Sequence, residues 1–164
     1  NIHLYNNGKI NKYNSIDNIL DEFYTIRYNL YSRRKEYILT NLTNDLLILK
    51  SKKRFIEDVI EEKILINKRK KEDILNDLIE MDYKQVDSGK VLEKLENKKN
   101  TNKYDYLIKM SIYSFTEDEI EKLNKDIFKL KNEYDSLLNK EIEDIWLEEC
   151  KSFTKQYKKM KLKS

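Results

Sequence analysis

The chain has 164 residues, 38% charged and 39% hydrophobic, enough for one modest core but equally suited to an elongated helical piece. Its formal charge is 33 minus 30, or +3, and its isoelectric point is near 8.7, too mild an excess to mark a dedicated nucleic-acid binder. One cysteine, Cys150, excludes an intrachain disulfide, and with His3 as the single histidine a Cys/His metal site is excluded as well.

Pro and Ala are absent and Gly occurs twice, while Leu, Ile, Lys and Glu fill the sequence, so helix is favoured almost everywhere. The Asn, Lys, Ile and Tyr richness matches a low-GC coding bias and is not read as function. No apolar run approaches the roughly 20 residues that cross a bilayer. The polar start NIHLYNNGKI carries no signal-peptide pattern and no initiator Met, which suggests a piece of a longer protein in a reducing compartment.

Residues 2 to 13 read as two short extended runs around Asn7-Gly8, a pair that supplies the positive φ angles of a tight two-residue hairpin. Ser15 then stands at a helix N-cap position, followed by Ile16, Ile19, Phe23, Ile26 and Leu30 in steps of three and four. The stripe continues through Tyr37, Leu42, Leu46 and Leu49 with a phase slip near 38 to 42, so an outgoing helix is predicted over 15–50. Phe55, Ile56, Val59, Ile60, Ile64 and Ile66, and then Ile74, Leu75, Leu78 and Ile79 on a short helix from Lys71, predict a compact helical head over 51–115. From 84 to 103 the periodicity is lost, which predicts a flexible loop with a short helix at 90–96.

Thr116 and Glu119 have the spacing of a capping box. Ile120, Leu123, Ile127, Leu130, Tyr134 and Leu137 follow as the most regular stripe in the chain, the seam of a returning helix over 116–141 set against Ile19, Phe23, Ile26 and Leu30. Asp144, Ile145 and Trp146 break the register, and a basic amphipathic helix closes the chain within 142–164. The fold expected is mostly α: a long antiparallel coiled-coil arm with a small helical globular head and a short N-terminal β-hairpin over 1–14. Hinges are expected near 50–54 and 140–146.

Several stretches, in order, resemble the C-terminal part of the DNA-cleavage core of eukaryotic-type DNA topoisomerase II. They are Asn7, Gly8, Lys9, Ile10, Lys12 and Tyr13 of an NGKIxKY hairpin; Phe23, Arg27, Tyr31, Arg34 and Lys35 of an FxxxRxxxYxxRK helix; Phe55 and Ile56 of RFI; Tyr106, Leu107, Met110 and Thr116; and Asp144, Ile145 and Trp146 of DIW. The likeness spans nearly the whole chain. Departures are Ile108 and Phe115 where Leu is usual, Ser111 where Pro is common, and a shorter loop at 84–103. The resemblance implies the coiled-coil arm and exit gate, or C-gate, of an ATP-dependent enzyme that passes one duplex through a transient break in another to relax and decatenate DNA. It implies a homodimer, double-stranded DNA as the transported partner, no membrane, and a nuclear location or the replication compartment of a large DNA virus. It also implies that the catalytic residues and the ATP and Mg²⁺ sites lie outside this segment, which then has no catalytic residue, metal site or cofactor of its own.

Phe55, Ile56, Val59, Tyr106, Met110, Ile112 and Tyr113 are the candidates for a dimer interface, since some apolar surface of the head must remain after its core is filled. Arg34 and Lys35 are candidate DNA-phosphate contacts, against the simpler reading that they pair with acidic residues at helical spacing. His3, Cys150 and acidic groups such as Glu61-Glu62 and Glu117-Asp118-Glu119 read as surface or capping residues. Two other classes stand beside the gate: a structural coiled-coil scaffold with no DNA role, and a helical nucleic-acid-binding module, which the alternation of Lys with Glu disfavours.

Overall fold

A computed structural model describes residues 2–6, 8–92 and 101–161. In chain order the elements are β1 (Ile2–Asn6), β2 (Lys9–Tyr13), α1 (Ile16–Ile60), α2 (Lys71–Glu80), β3 (Val86–Asp87), β4 (Lys90–Val91), α3 (Asp105–Ile108), α4 (Glu117–Leu138) and α5 (Ile142–Lys161), with 3-10 turns at Thr101–Tyr104 and Ile112–Ser114. The protein is mostly helical, with a long helix, a short N-terminal β-hairpin and a small helical head, the class expected from its spacing. It divides into two compact units, residues 1–38 with 137–164 and residues 39–136.

In the first unit β1 and β2 pair antiparallel, with Asn6 opposite Lys9 and Gly8 at φ +83°, the left-handed conformation that glycine adopts without steric cost. Asn7, the other half of the expected turn, lies outside the described residues. The side-chain amide of Asn6 and the Tyr13 hydroxyl both donate to the Glu22 carboxylate, fixing the hairpin to α1. Ser15 caps α1, accepting the Asn18 N–H at 3.2 Å.

In the second unit the core is built from Phe55, Ile64, Leu75, Leu78, Tyr83, Tyr104 and Leu107. Phe55 meets Tyr83 and Phe115 edge-on, with centroids 6.1 and 5.9 Å apart. Asp58, a buried carboxylate, accepts the Tyr83 hydroxyl at 2.6 Å, with Arg54 Nε at 3.5 Å and Lys63 Nζ at 3.7 Å. That set satisfies a charge that would otherwise be costly to bury. Leu123 is the buried residue of α4, and Thr116 caps that helix by accepting the Glu119 N–H at 3.3 Å. The Glu119 carboxylate turns to Lys122, 3.4 Å away.

Several expectations are corrected. Helix α1 continues unbroken to Ile60, so the phase slip at 38–42 does not end it and 50–54 lies mid-helix, where a hinge would break backbone hydrogen bonds. The predicted helix at 90–96 begins instead as strand β4. Ser88 at φ +50° and Gly89 at φ +79° form a tight turn that pairs Val86 with Val91, while 93–100 lie outside the described residues. Asn44 of α1 holds this hairpin, accepting the Val91 N–H at 2.6 Å and donating to the Gly89 carbonyl at 2.7 Å.

The seam also has a different register. Thr43, Leu46, Leu47 and Lys50 of α1 face Lys131, Tyr134 and Asp135 of α4 around a cavity of about 250 Å³. Phe23, expected against the α4 stripe, meets Trp146 of α5, and Ile26 and Leu30 are exposed. The reason is length: at 22 residues α4 is about half as long as the 45-residue α1 and cannot run beside both of its ends.

Candidate functional site

Two clusters concentrate the notable side chains, one in each unit. In the first unit the single tryptophan, Trp146, stacks on Tyr24 and Tyr31 with centroids 5.3 and 5.5 Å apart and meets Phe23 edge-on at 6.5 Å. Tyr31 is buried, and its hydroxyl donates to Glu149 Oε2 at 2.5 Å. The other carboxylate oxygen of Glu149 accepts from Arg34 Nη1 at 2.8 Å, and the Arg27 guanidinium lies 5.0 Å over the Tyr31 ring. The donated Tyr31 hydroxyl and then Arg34 hold the Glu149 carboxyl below its ordinary range, and the same hydrogen bond pushes Tyr31 up.

Lys35 Nζ donates to the carbonyls of Leu138 and Lys140 at 3.0 and 2.6 Å, satisfying oxygens left free where α4 ends and the chain enters α5. Arg34 and Lys35, candidates for DNA phosphate, are thus engaged within the protein. This cluster gathers Phe23, Arg27, Tyr31, Arg34, Lys35 and Trp146, residues that the family resemblance had picked out far apart in sequence. Glu149 was missed. Its signal was its position three residues beyond Trp146, on the same helical face.

In the second unit an apolar cavity of about 450 Å³ opens beside the core, lined by Phe55, Val59, Ile64, Leu107, Met110 and Phe115 among others. At its rim the chain leaves Met110 and enters the turn at Ile112–Ser114, where Ile112 is 75% and Tyr113 87% exposed. Ser111 caps this turn by accepting the Tyr113 N–H at 3.3 Å. The seven interface candidates therefore divide. Phe55 and Ile56, 1% and 0% exposed, are core residues and have no surface to offer a partner. Tyr106 is half-buried with its hydroxyl donating to the Lys84 carbonyl at 2.8 Å, and Val59 and Met110 line the cavity. Ile112 lines the mouth of the same cavity while staying largely exposed, and Tyr113 stands free of it.

Among the described residues no group of three or more His, Cys, Asp or Glu is placed to hold a metal, and no helix is long and apolar enough to cross a membrane.

Residues 1–151 match the family model for the A subunit of DNA gyrase/topoisomerase IV. The chain belongs to that family, and within it to the eukaryotic-type II topoisomerases. DNA topoisomerase 2 of Acanthamoeba polyphaga mimivirus is 36% identical over 96% of this chain, and that of Penicillium chrysogenum 33% identical over 92%. The chain spans only 12% and 10% of those two relatives. The crystal structure of the Plasmodium falciparum topoisomerase II DNA-binding, cleavage and re-ligation domain superposes with a TM-score of 0.76 at 26% identity, covering 98% of this chain and 24% of that one.

Proposed function

We propose that this segment is the exit gate of a type II topoisomerase, the place where two copies of the head meet and part to release a transported DNA duplex. The observation that carries this reading is the exposed Ile112-Tyr113 step beside the apolar cavity of the head. A two-fold contact presents the same patch twice, so a protruding pair next to a recess is self-complementary in principle. Tyrosine is also among the residues that dominate interface energies. A gate must close and reopen, which fits a patch of a few hundred Å². At about 25 cal/mol per Å² its gross apolar gain is several kcal/mol, much of it offset by the entropy of association.

In this reading the segment performs no bond chemistry. The parent enzyme would supply the catalytic residues and the ATP and Mg²⁺ sites from its other parts, and would act on chromosomal DNA in the nucleus or in a viral replication compartment. Hydrogen–deuterium exchange across protein concentration tests the location of the contact. Protection of residues 110–115 should rise with concentration while residues 16–24 do not change; the reverse pattern would favour an assembling scaffold whose helical stripes are the contact.

A further inference from the structure

The second half of α5 is a helical stretch whose charges are all of one sign. Many basic side chains elsewhere are paired with acidic ones: Lys53 with Glu57, Arg69 with Asp77, Lys109 with Asp105, Lys140 with Glu148. In α5 the acidic residues Glu143, Asp144, Glu148 and Glu149 all lie in the first half, and from 150 to 161 there are none. Over that span stand Lys151, Lys155, Lys158, Lys159 and Lys161, and every residue is exposed. Among the described residues, Lys151, Lys155, Lys158 and Lys159 form no ion pair.

The spacing sorts them. Lys151, Lys155 and Lys158 stand at i, i+4 and i+7, one helical face, with Lys159 at its edge. Phe153, Tyr157 and Met160 occupy the opposite face, which continues the one Trp146 presents to α1. Phe153 and Tyr157 stack on each other with centroids 6.2 Å apart. The lysines therefore form a separate, uninterrupted cationic ridge with no polar or acidic work inside its own unit.

We propose that the lysine face of α5, Lys151, Lys155, Lys158 and Lys159, is a contact surface for the phosphate backbone of double-stranded DNA. The proposal rests on the topoisomerase reading only in making DNA the polyanion at hand; it is independent of where the heads meet. Flexible point charges on a ridge without hydrogen-bond forks suit sequence-independent backbone binding, which a duplex-handling enzyme requires. It also relocates the DNA contact from Arg34 and Lys35, which are engaged with Glu149 and with backbone carbonyls.

The test is fluorescence anisotropy of the whole chain with a 20-base-pair duplex between about 50 and 200 mM salt, the range over which counterion release is read. Three proteins are compared: wild type; the variant Lys151→Gln, Lys155→Gln, Lys158→Gln, Lys159→Gln; and an equal-charge control, Lys53→Gln, Lys63→Gln, Lys109→Gln, Lys122→Gln. At about −0.9 per phosphate contact, the α5 variant should flatten the slope of log K against log salt by about 3 to 4, with the control flattening it by less than half as much. The matching Lys→Arg variant should keep the wild-type slope. Equal losses in the α5 variant and the control would reduce the effect to net charge and overturn the proposal, as would a wild-type chain that does not bind the duplex at 50 mM salt. If the α5 variant loses capture by polyglutamate yet binds the duplex as before, the ridge serves an acidic protein instead, and the proposal fails. Self-association of the same α5 variant should equal wild type, which separates failure of this proposal from failure of the gate.

Discussion

Arg34 and Glu149 stand 115 positions apart in sequence, and their Nη1 and Oε1 atoms lie 2.8 Å apart. The pair is half exposed, so alone it is worth about 0 to 1 kcal/mol. Its importance is positional, because the other Glu149 oxygen accepts the hydroxyl of buried Tyr31, on which Trp146 stacks. The end of α4, the start of α5 and the middle third of α1 are fixed through these groups together with Lys35.

Glu149 gives this cluster a pH dependence of defined sign. Its carboxyl is held below the ordinary 4.5 by the Tyr31 hydroxyl and then Arg34. The stabilisation is therefore present above that value and is lost as pH falls through the depressed folded value. Fluorescence of the single tryptophan, followed from pH 6 to pH 2, should show an acid transition that Glu149→Gln weakens or shifts toward neutral pH. An unchanged transition would place the acid-sensitive group elsewhere.

Trp146→Ala removes three ring contacts at once. Trp146 is half-buried, so the loss should be about 2 to 3 kcal/mol, below the about 3 to 5 typical of fully buried aromatic truncations. Thermal unfolding followed by circular dichroism reads this. Cys150→Ser, one helical turn further along α5 and exposed, should change stability by less than about 0.5 kcal/mol.

How much of this was legible in the sequence differs residue by residue. The stripe from Ile16 onward, the Ser15 and Thr116 caps and the Lys71 helix start were readable because helical spacing and capping are local. Phe55 and Tyr113 were not separable, because an apolar side chain has the same signature whether it fills a core or stands exposed. Only tertiary packing tells them apart. The Ser88-Gly89 turn was legible in principle, a turn dipeptide between Val86 and Val91, but the surrounding polarity masked so short a hairpin. The register of the α4 seam was out because stripes reveal faces and not partners. Glu149 had no local mark beyond its spacing from Trp146.

Tyr83→Phe should destabilise the second unit by about 1 to 3 kcal/mol, because Asp58 is then buried without its hydroxyl donor. Urea unfolding at pH 7 measures it. Burial, and then the hydrogen bond to Asp58, push the Tyr83 hydroxyl far above its ordinary 10.0. The neutral form is the stabilising one, so this contribution is intact below pH 10 and declines as pH rises above it toward the folded value. Wild type should therefore lose stability between pH 10 and 12 more steeply than Tyr83→Phe.

Asn44→Ala deletes both hydrogen bonds to the β3–β4 hairpin and leaves the Val91 N–H without its acceptor, for about 1 to 2 kcal/mol. Gly89→Val places a β-branched residue at φ +79° and should cost a similar amount. Amide exchange at Val91 and Leu92 should quicken in both variants while that of Leu78 in the core changes far less.

Sedimentation equilibrium of the wild-type chain across concentration, beside the double variant Ile112→Asp, Tyr113→Asp, tests the exit-gate account most directly. Both side chains are exposed, so the variant should keep wild-type helicity and unfolding temperature. The account predicts a reversible wild-type dimer that the variant abolishes. A wild-type dimer that survives both substitutions, or a wild-type chain that stays monomeric at every concentration, would contradict it.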